Sequence, residues 1–180
     1  MRYKAACERF VRRWRGGDRL VNSREPRLVR GRKFPTGQMP VGKPWGLWYG
    51  CGTAWLEWSC TNNFRLHRYV LAVDVDESRL LRLGTVKRIE RFVRDYRDES
   101  RAVVIPGVGD IIRAVDWGRV RERWVGVEID TWQHPYDRRM LPVSCRLPIW
   151  YSAWDCASGC LWDLSAVTGW RLVADLGARR

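Results

Sequence analysis

The chain has 180 residues and a mass of 21.2 kDa, enough for one domain that buries about two thirds of the surface its unfolded form exposes. It carries 33 Lys and Arg against 20 Asp and Glu, a net charge of +13, and no stretch of about 18 apolar residues that would read as a membrane span. Six cysteines and two histidines, with one close C-x3-C pair and no histidine beside it, make a poor zinc pattern, so no metal is expected. The start lacks the apolar run of a signal peptide. The expectation is a cytoplasmic protein with reduced thiols.

The charge is unevenly placed. Residues 1–50 hold 13 basic and 3 acidic side chains, while residues 51–180 hold 20 and 17, so the excess is N-terminal. A basic arm on a near-neutral body suits a polyanion such as DNA or RNA, because each neutralised phosphate releases counterions. Arg outnumbers Lys 29 to 4, which base composition alone can also produce.

In chain order, residues 1–20 predict a short basic helix, with Phe10, Val11 and Trp14 on one side, Arg9, Arg12, Arg13 and Arg15 around them, and a stop at Gly16-Gly17. Leu28-Val29-Arg30 is a short strand candidate. A loop follows, with Arg32, Lys33 and Lys43 at its ends as candidate contacts for an anionic substrate, alongside Arg12 and Arg13. Trp45–Tyr49 alternates as a strand, with Trp45, Leu47 and Tyr49 on one face and Gly46, Trp48 and Gly50 on the other. Thr53–Cys60 reads as a helix and Leu66–Val75 as the clearest strand, followed by a short strand at Leu80–Leu83.

After Gly84, Ile89, Phe92, Val93 and Tyr96 define an amphipathic helix with a basic outer face, and Asp95, Asp98 and Glu99 at its end should pair with neighbouring arginines. Ile111–Val115 is apolar, Asp116 can cap a helix at 118–123, and Trp124–Trp132 reads as a strand with Val125, Val127 and Ile129 on the buried side. Leu147–Trp154 is a further strand candidate, with a turn at Asp155–Cys160 and a short return at Leu161-Trp162. Short strands mixed with a few helices, without regular alternation, argue an α+β fold.

Glu128 is the candidate catalytic group. With Gly126 two residues earlier on the same strand face, a ligand has room to lie against the backbone, and the carboxylate can bond a sugar hydroxyl and stabilise positive charge at an anomeric carbon. Burial of this carboxylate against an arginine, or exposure to bulk solvent with no cavity beside it, would end the case for an enzyme. The phosphate-cradling glycine motifs are absent, and no flanking pattern singles out a Cys-His pair.

Taken together, Lys43-Pro44-Trp45-Gly46-Leu47-Trp48-Tyr49, Asp116-Trp117 ahead of Gly126-Val127-Glu128, and Trp154-Asp155-Cys156-Ala157-Ser158-Gly159-Cys160-Leu161-Trp162 resemble the ADP-ribosyltransferase family. The nearest likeness is to small bacterial and phage proteins, over residues 28–163. The resemblance implies two small mixed or antiparallel sheets forming a central cleft with flanking helices, with residues 1–27 as a basic arm on a single domain. It implies NAD as substrate, an arginine on the first strand gripping it (Arg30, with Arg32 as substitute), Trp48, Tyr49 and Trp55 near the nicotinamide ribose, and Glu128 on the third strand. Trp154 and Trp162 are further wall candidates, with Asp155 and Ser158 fixing the turn behind them. The second strand lacks the serine-threonine-serine core of arginine-type enzymes, and Gly126 stands where enzymes modifying arginine or guanine usually carry Glu or Gln, so another group would hold the acceptor.

Three functions follow from these residues: an ADP-ribosyltransferase acting on nucleic acid, the same enzyme acting on a host protein, or a basic nucleic-acid binder without catalysis in which tryptophans stack on bases.

Overall fold

A computed structural model describes residues 3–29, 31–37, 39, 42–104, 111–131, 151 and 154–178. The described elements are, in order, α1 (Lys4–Arg13), β1 (Arg19–Ser23), β2 (Leu47–Cys51), α2 (Ala54–Thr61), β3 (Tyr69–Val75), β4 (Leu80–Arg82), α3 (Val86–Asp95), β5 (Arg97–Val104), β6 (Ile111–Val115), α4 (Trp117–Arg123), β7 (Gly126–Ile129), β8 (Ser158–Leu161) and β9 (Val167–Asp175). The class is α+β.

One seven-stranded sheet, in the order β4-β7-β8-β2-β1-β3-β9, dominates the molecule, and β5 and β6 form a separate two-stranded antiparallel pair. Only the β4·β7 contact in the large sheet is parallel. This corrects the expectation of two small sheets facing across a cleft: the central strands, from β7 to β3, are hydrogen-bonded into one surface.

Strand alternation assigns the apolar side chains to the two faces of that surface. On one face, Leu20, Val70 and Ala72 pack with Cys7 of α1 and Leu56 and Cys60 of α2. Further along the same face, Val127, Ile129 and Cys160 pack with Ile89 and Phe92 of α3 and Trp117 and Val120 of α4. On the opposite face Val21, Tyr49, Leu71, Val73, Val75, Leu80 and Leu161 meet Leu164, Ala166 and Val167, with Leu28 and Phe34 packed at the side. Burying Ile89 and Phe92 contributes roughly 1.5–3 kcal/mol each, which is how an arginine-rich helix such as α3 is held to the sheet.

Local chemistry places the helix ends. The Thr85 hydroxyl accepts from the Arg88 amide at the start of α3, and Asp116 accepts from the Arg119 amide at the start of α4, as its sequence position suggested. Asp95 pairs with Arg91 and Arg94 at the end of α3. Between β2 and α2 the chain reverses at Gly52, whose φ of 56° is strained for residues with a side chain.

Three sequence expectations change. Arg19–Ser23 is a strand between β2 and β3, so the N-terminal segment supplies α1 and β1 to the body rather than a separate arm. Leu28 and Val29 are not in a strand, and Arg30 lies outside the described residues. The longest described strand is β9 at 167–175, beyond the span of the motif resemblance, and it pairs with β3 along the edge. Most of the strand expected at Leu147–Trp154 lies outside the described residues.

Candidate active site: Arg19, Tyr49 and Glu128

Sheet register brings these three side chains to one face. Arg82 of β4 pairs with Glu128 of β7, Glu128 with Gly159 of β8, and Gly159 with Tyr49 of β2; two residues on, Cys51 of β2 pairs with Arg19 of β1. Paired residues share a face, as do residues two apart, so Arg82, Glu128, Tyr49, Cys51 and Arg19 form a row across five strands. Gly159 occupies the gap between Glu128 and Tyr49. A Cβ there would collide with the phenol, and its absence lets the Tyr49 hydroxyl cross β8 to the carboxylate.

The Tyr49 hydroxyl donates to Glu128 Oε2 at 2.9 Å. Arg19 donates from Nε to Oε2 at 2.5 Å and from Nη2 to Oε1 at 3.0 Å. Arg82 Nε approaches Oε1 at 3.3 Å, and its Nη2 donates to Asp130 at 2.5 Å. Arg19 Nη2 also donates to Glu77 at 2.8 Å. A carboxylate offers about four lone-pair sites; three hydrogen bonds fill three of them, and the Arg82 ion pair lies beside the carboxylate. Glu128 is only 2% exposed, and the Arg19 side chain 16%.

The electrostatics follow from burial beside charge. Desolvation, with the Glu128 charge added, pushes the Tyr49 phenol well above its ordinary pKa, so it is a neutral donor. The same two causes push the Cys51 thiol up to about 12. Burial by itself would lower the Arg19 pKa, but hydrogen bonds to Glu128 and Glu77 outweigh it and hold the guanidinium charged. Glu77 in turn sits below its usual range, chiefly through its bond from Arg19.

Glu128 is therefore buried against an arginine, the arrangement that speaks against an enzyme, and the expected open crevice beside it is not seen among the described residues. Tyr49 is in contact with it as expected. Trp48 is not: it lies on the opposite sheet face, edge-on to Trp154 at 4.8 Å, because it is one residue out of phase with Tyr49. Trp55 is on α2 on that same opposite face, stacked on Trp58 at 5.1 Å. Trp154 and Trp162 are core residues. These corrections dismantle the tryptophan wall: strand parity turns Trp48 away, Trp55 sits on a helix over the opposite face, and Trp154 and Trp162 are packed into the core.

Of the candidate substrate contacts, Arg12 and Arg13 are exposed on α1, and Arg32 and Lys33 are exposed on the rim of a 510 Å³ cavity with Phe34, Trp162 and Leu164. Lys43 is engaged elsewhere: it is 14% exposed, bonds Asp155 at 2.8 Å and lies 5.2 Å from the Trp48 ring. Sequence reasoning missed Arg19, Arg82 and Gly159. The available signal for Arg19 was the Leu20-Val21 pair bounded by Gly16-Gly17-Asp18 and Pro26, a short strand between breakers.

Comparison with protein-family models, with curated proteins and with solved structures finds no match to this chain. The ADP-ribosyltransferase likeness thus stands on the sequence motifs, and the chemistry has to be argued from the row of residues itself.

Proposed function

We propose that this chain is a non-catalytic basic protein that binds nucleic acid through its exposed arginines, with Arg19, Tyr49 and Glu128 as a structural clamp within the sheet. One observation carries the reading: Glu128 is 2% exposed and is held by hydrogen bonds from Arg19 and Tyr49, the burial against an arginine that speaks against catalysis. A second reading, an NAD-dependent ADP-ribosyltransferase, is favoured by the convergence of an arginine, a tyrosine and a glutamate from three strands, the groups the motif resemblance implies, with Arg19 of β1 taking the role first given to Arg30.

On that second reading the chemistry asks little of the protein. The bond from the ribose C1′ to the nicotinamide nitrogen breaks, its electron pair leaves with nicotinamide, and a nucleophile on the acceptor closes on C1′ while losing a proton. Positive charge develops on the sugar, so a fixed carboxylate that accepts from a ribose hydroxyl stabilises the transition state. In the described state Glu128 is enclosed and bonded by Arg19 and Tyr49, and NAD fits only once Arg19 leaves it. Arg19 is placed for that exchange: it has a second carboxylate at Glu77, it is the more exposed partner, and a dinucleotide phosphate would replace Glu128 as its counter-charge. The acceptor is a nucleic acid, in keeping with the excess of arginine, or a host protein.

The test that separates the two uses NAD and Glu128→Gln. On the enzymatic reading NAD raises the melting temperature of the wild type, nicotinamide release is lost in Glu128→Gln, and mass spectrometry of extracts incubated with labelled NAD places the label on nucleic acid or on protein. That set of results overturns the binding proposal, and no thermal response to NAD in the wild type ends the enzymatic reading.

On the binding proposal affinity for nucleic acid falls steeply with salt and NAD gives no protection against heat. Binding that does not respond to salt overturns it.

A further inference from the structure

A second cluster of cationic groups lies away from the Glu128 row. Where the start of α1, the end of β1 and the segment entering β3 meet, a cavity of about 510 Å³ is lined by Tyr3, Arg24, Arg65, His67, Arg68 and Tyr69, with no carboxylate in its lining. The segment is fixed from below: Asn22 Nδ2 donates to the carbonyls of His67 and Tyr69, and the His67 amide donates to Asn22 Oδ1 at 2.7 Å. Arg68 is neutralised by a two-pronged pair with Asp175 of β9, both bonds at 2.8 Å, and stacks over Tyr69. Arg24 and Arg65 are exposed and form no ion pair with a described residue. Beside Arg65, Phe64 is 48% exposed and backed by Trp55 and Trp58, with ring centroids 5.5 and 5.4 Å away.

We infer that this cavity binds the phosphate of a nucleotide, free or within a nucleic-acid strand, between Arg24, Arg65 and His67. Two guanidinium groups and an imidazole around one cavity match the several oxygens of a phosphate, which a single carboxylate would not satisfy. Phe64, next to Arg65 in the chain and outside the cavity lining, is an exposed ring on which a base of a longer strand can stack. The arrangement also accounts for the state of His67, whose pKa is held down by burial and then by the charges of Arg24 and Arg65. Tyr3, Tyr69 and the Arg68–Asp175 pair are the other titratable or charged groups at the cavity. A bound phosphate screens the two arginines, so the imidazole becomes easier to protonate. The inference does not depend on turnover at Glu128.

The chain has only two histidines, so proton NMR can follow the His67 ring directly, with His67→Gln assigning the signal. The probes are AMP and a single-stranded oligonucleotide, each compared with chloride at matched ionic strength. At least one should raise the His67 midpoint by about one unit, equivalent to roughly tenfold tighter binding to the protonated form. A response to AMP marks a free nucleotide as sufficient, and a response to the oligonucleotide alone assigns the site to a strand. In the Arg24→Ala/Arg65→Ala variant, checked for its fold by circular dichroism, the unliganded midpoint should rise toward the ordinary histidine value and the ligand response should vanish. A midpoint that neither probe moves, or that moves equally in the variant, overturns the inference. Because this readout needs no NAD cleavage, it fails or succeeds separately from the Glu128→Gln test.

Discussion

The Tyr49 phenol lies directly over Gly159, in the space that any side chain at 159 would take. Gly159→Ala should therefore displace the ring and break its bond to Glu128, destabilising the protein by about 1–3 kcal/mol or more as overpacking of a core position. A fall in the urea midpoint at constant m-value checks this. A neutral substitution would mean that β8 can move away from β2.

Removing Arg19 takes the bidentate partner from a carboxylate that is 2% exposed, whereas Arg19 without Glu128 keeps Glu77. Arg19→Met alone should cost roughly 3–5 kcal/mol, and Arg19→Met together with Glu128→Leu should recover most of that, because apolar partners of similar volume tolerate the site. A double-mutant cycle by chemical denaturation measures the coupling. If the two losses simply add, the pair is not the unit that its geometry describes.

Tyr49→Phe deletes only the hydroxyl. A hydrogen bond to a charged acceptor is worth about 1.5–3 kcal/mol, so stability should drop by that order. On the enzymatic reading nicotinamide release should drop as well, with NAD protection kept. Stability loss without any change in release would place Tyr49 in the clamp alone.

Asp175 gives the acid limb a definite sign. Hydrogen bonds from Arg68, backed by the Gly177 amide, hold its pKa down at about 2, below the unfolded value near 3.9. Its contribution to stability is complete above about pH 4 and is lost as pH falls toward 2. Asp175→Asn should flatten the dependence of the melting temperature on pH across that window. An unchanged slope would show that the β3–β9 edge does not feel this pair.

Thiol chemistry reports on whether the sheet row opens. Burial, with the Glu128 charge, puts Cys51 at about 12 and burial puts Cys156 at about 11, while Cys7 and Cys160 are pushed higher still, so all four are protonated at pH 8. Iodoacetamide at that pH should leave these four unmodified in the native protein and modify them in urea, read by peptide mass mapping. Rapid labelling of Cys51 in the native state would show β1 and β2 parting.

Much of the architecture follows from local pattern. The alternation in Tyr69–Val75, the i, i+3, i+4 spacing of Ile89, Phe92 and Val93, and the cap at Asp116 each act over a few residues, and each predicts the element found. The opposite orientation of Trp48 and Tyr49 follows in the same way from a period of two. By itself, then, the sequence determined the four helices and the strands β2, β3, β4 and β7, though not β1 or β9, together with the side chains that share a strand face and a charge that favours anionic partners. Which strands lie side by side is another matter, because register depends on pairings between residues as far apart as Arg19 and Glu128, and no local periodicity encodes them. Only the tertiary structure could decide that the arginine facing Glu128 is Arg19, that a glycine at 159 makes room for Tyr49, and that the carboxylate is enclosed, since each depends on five strands meeting in one sheet.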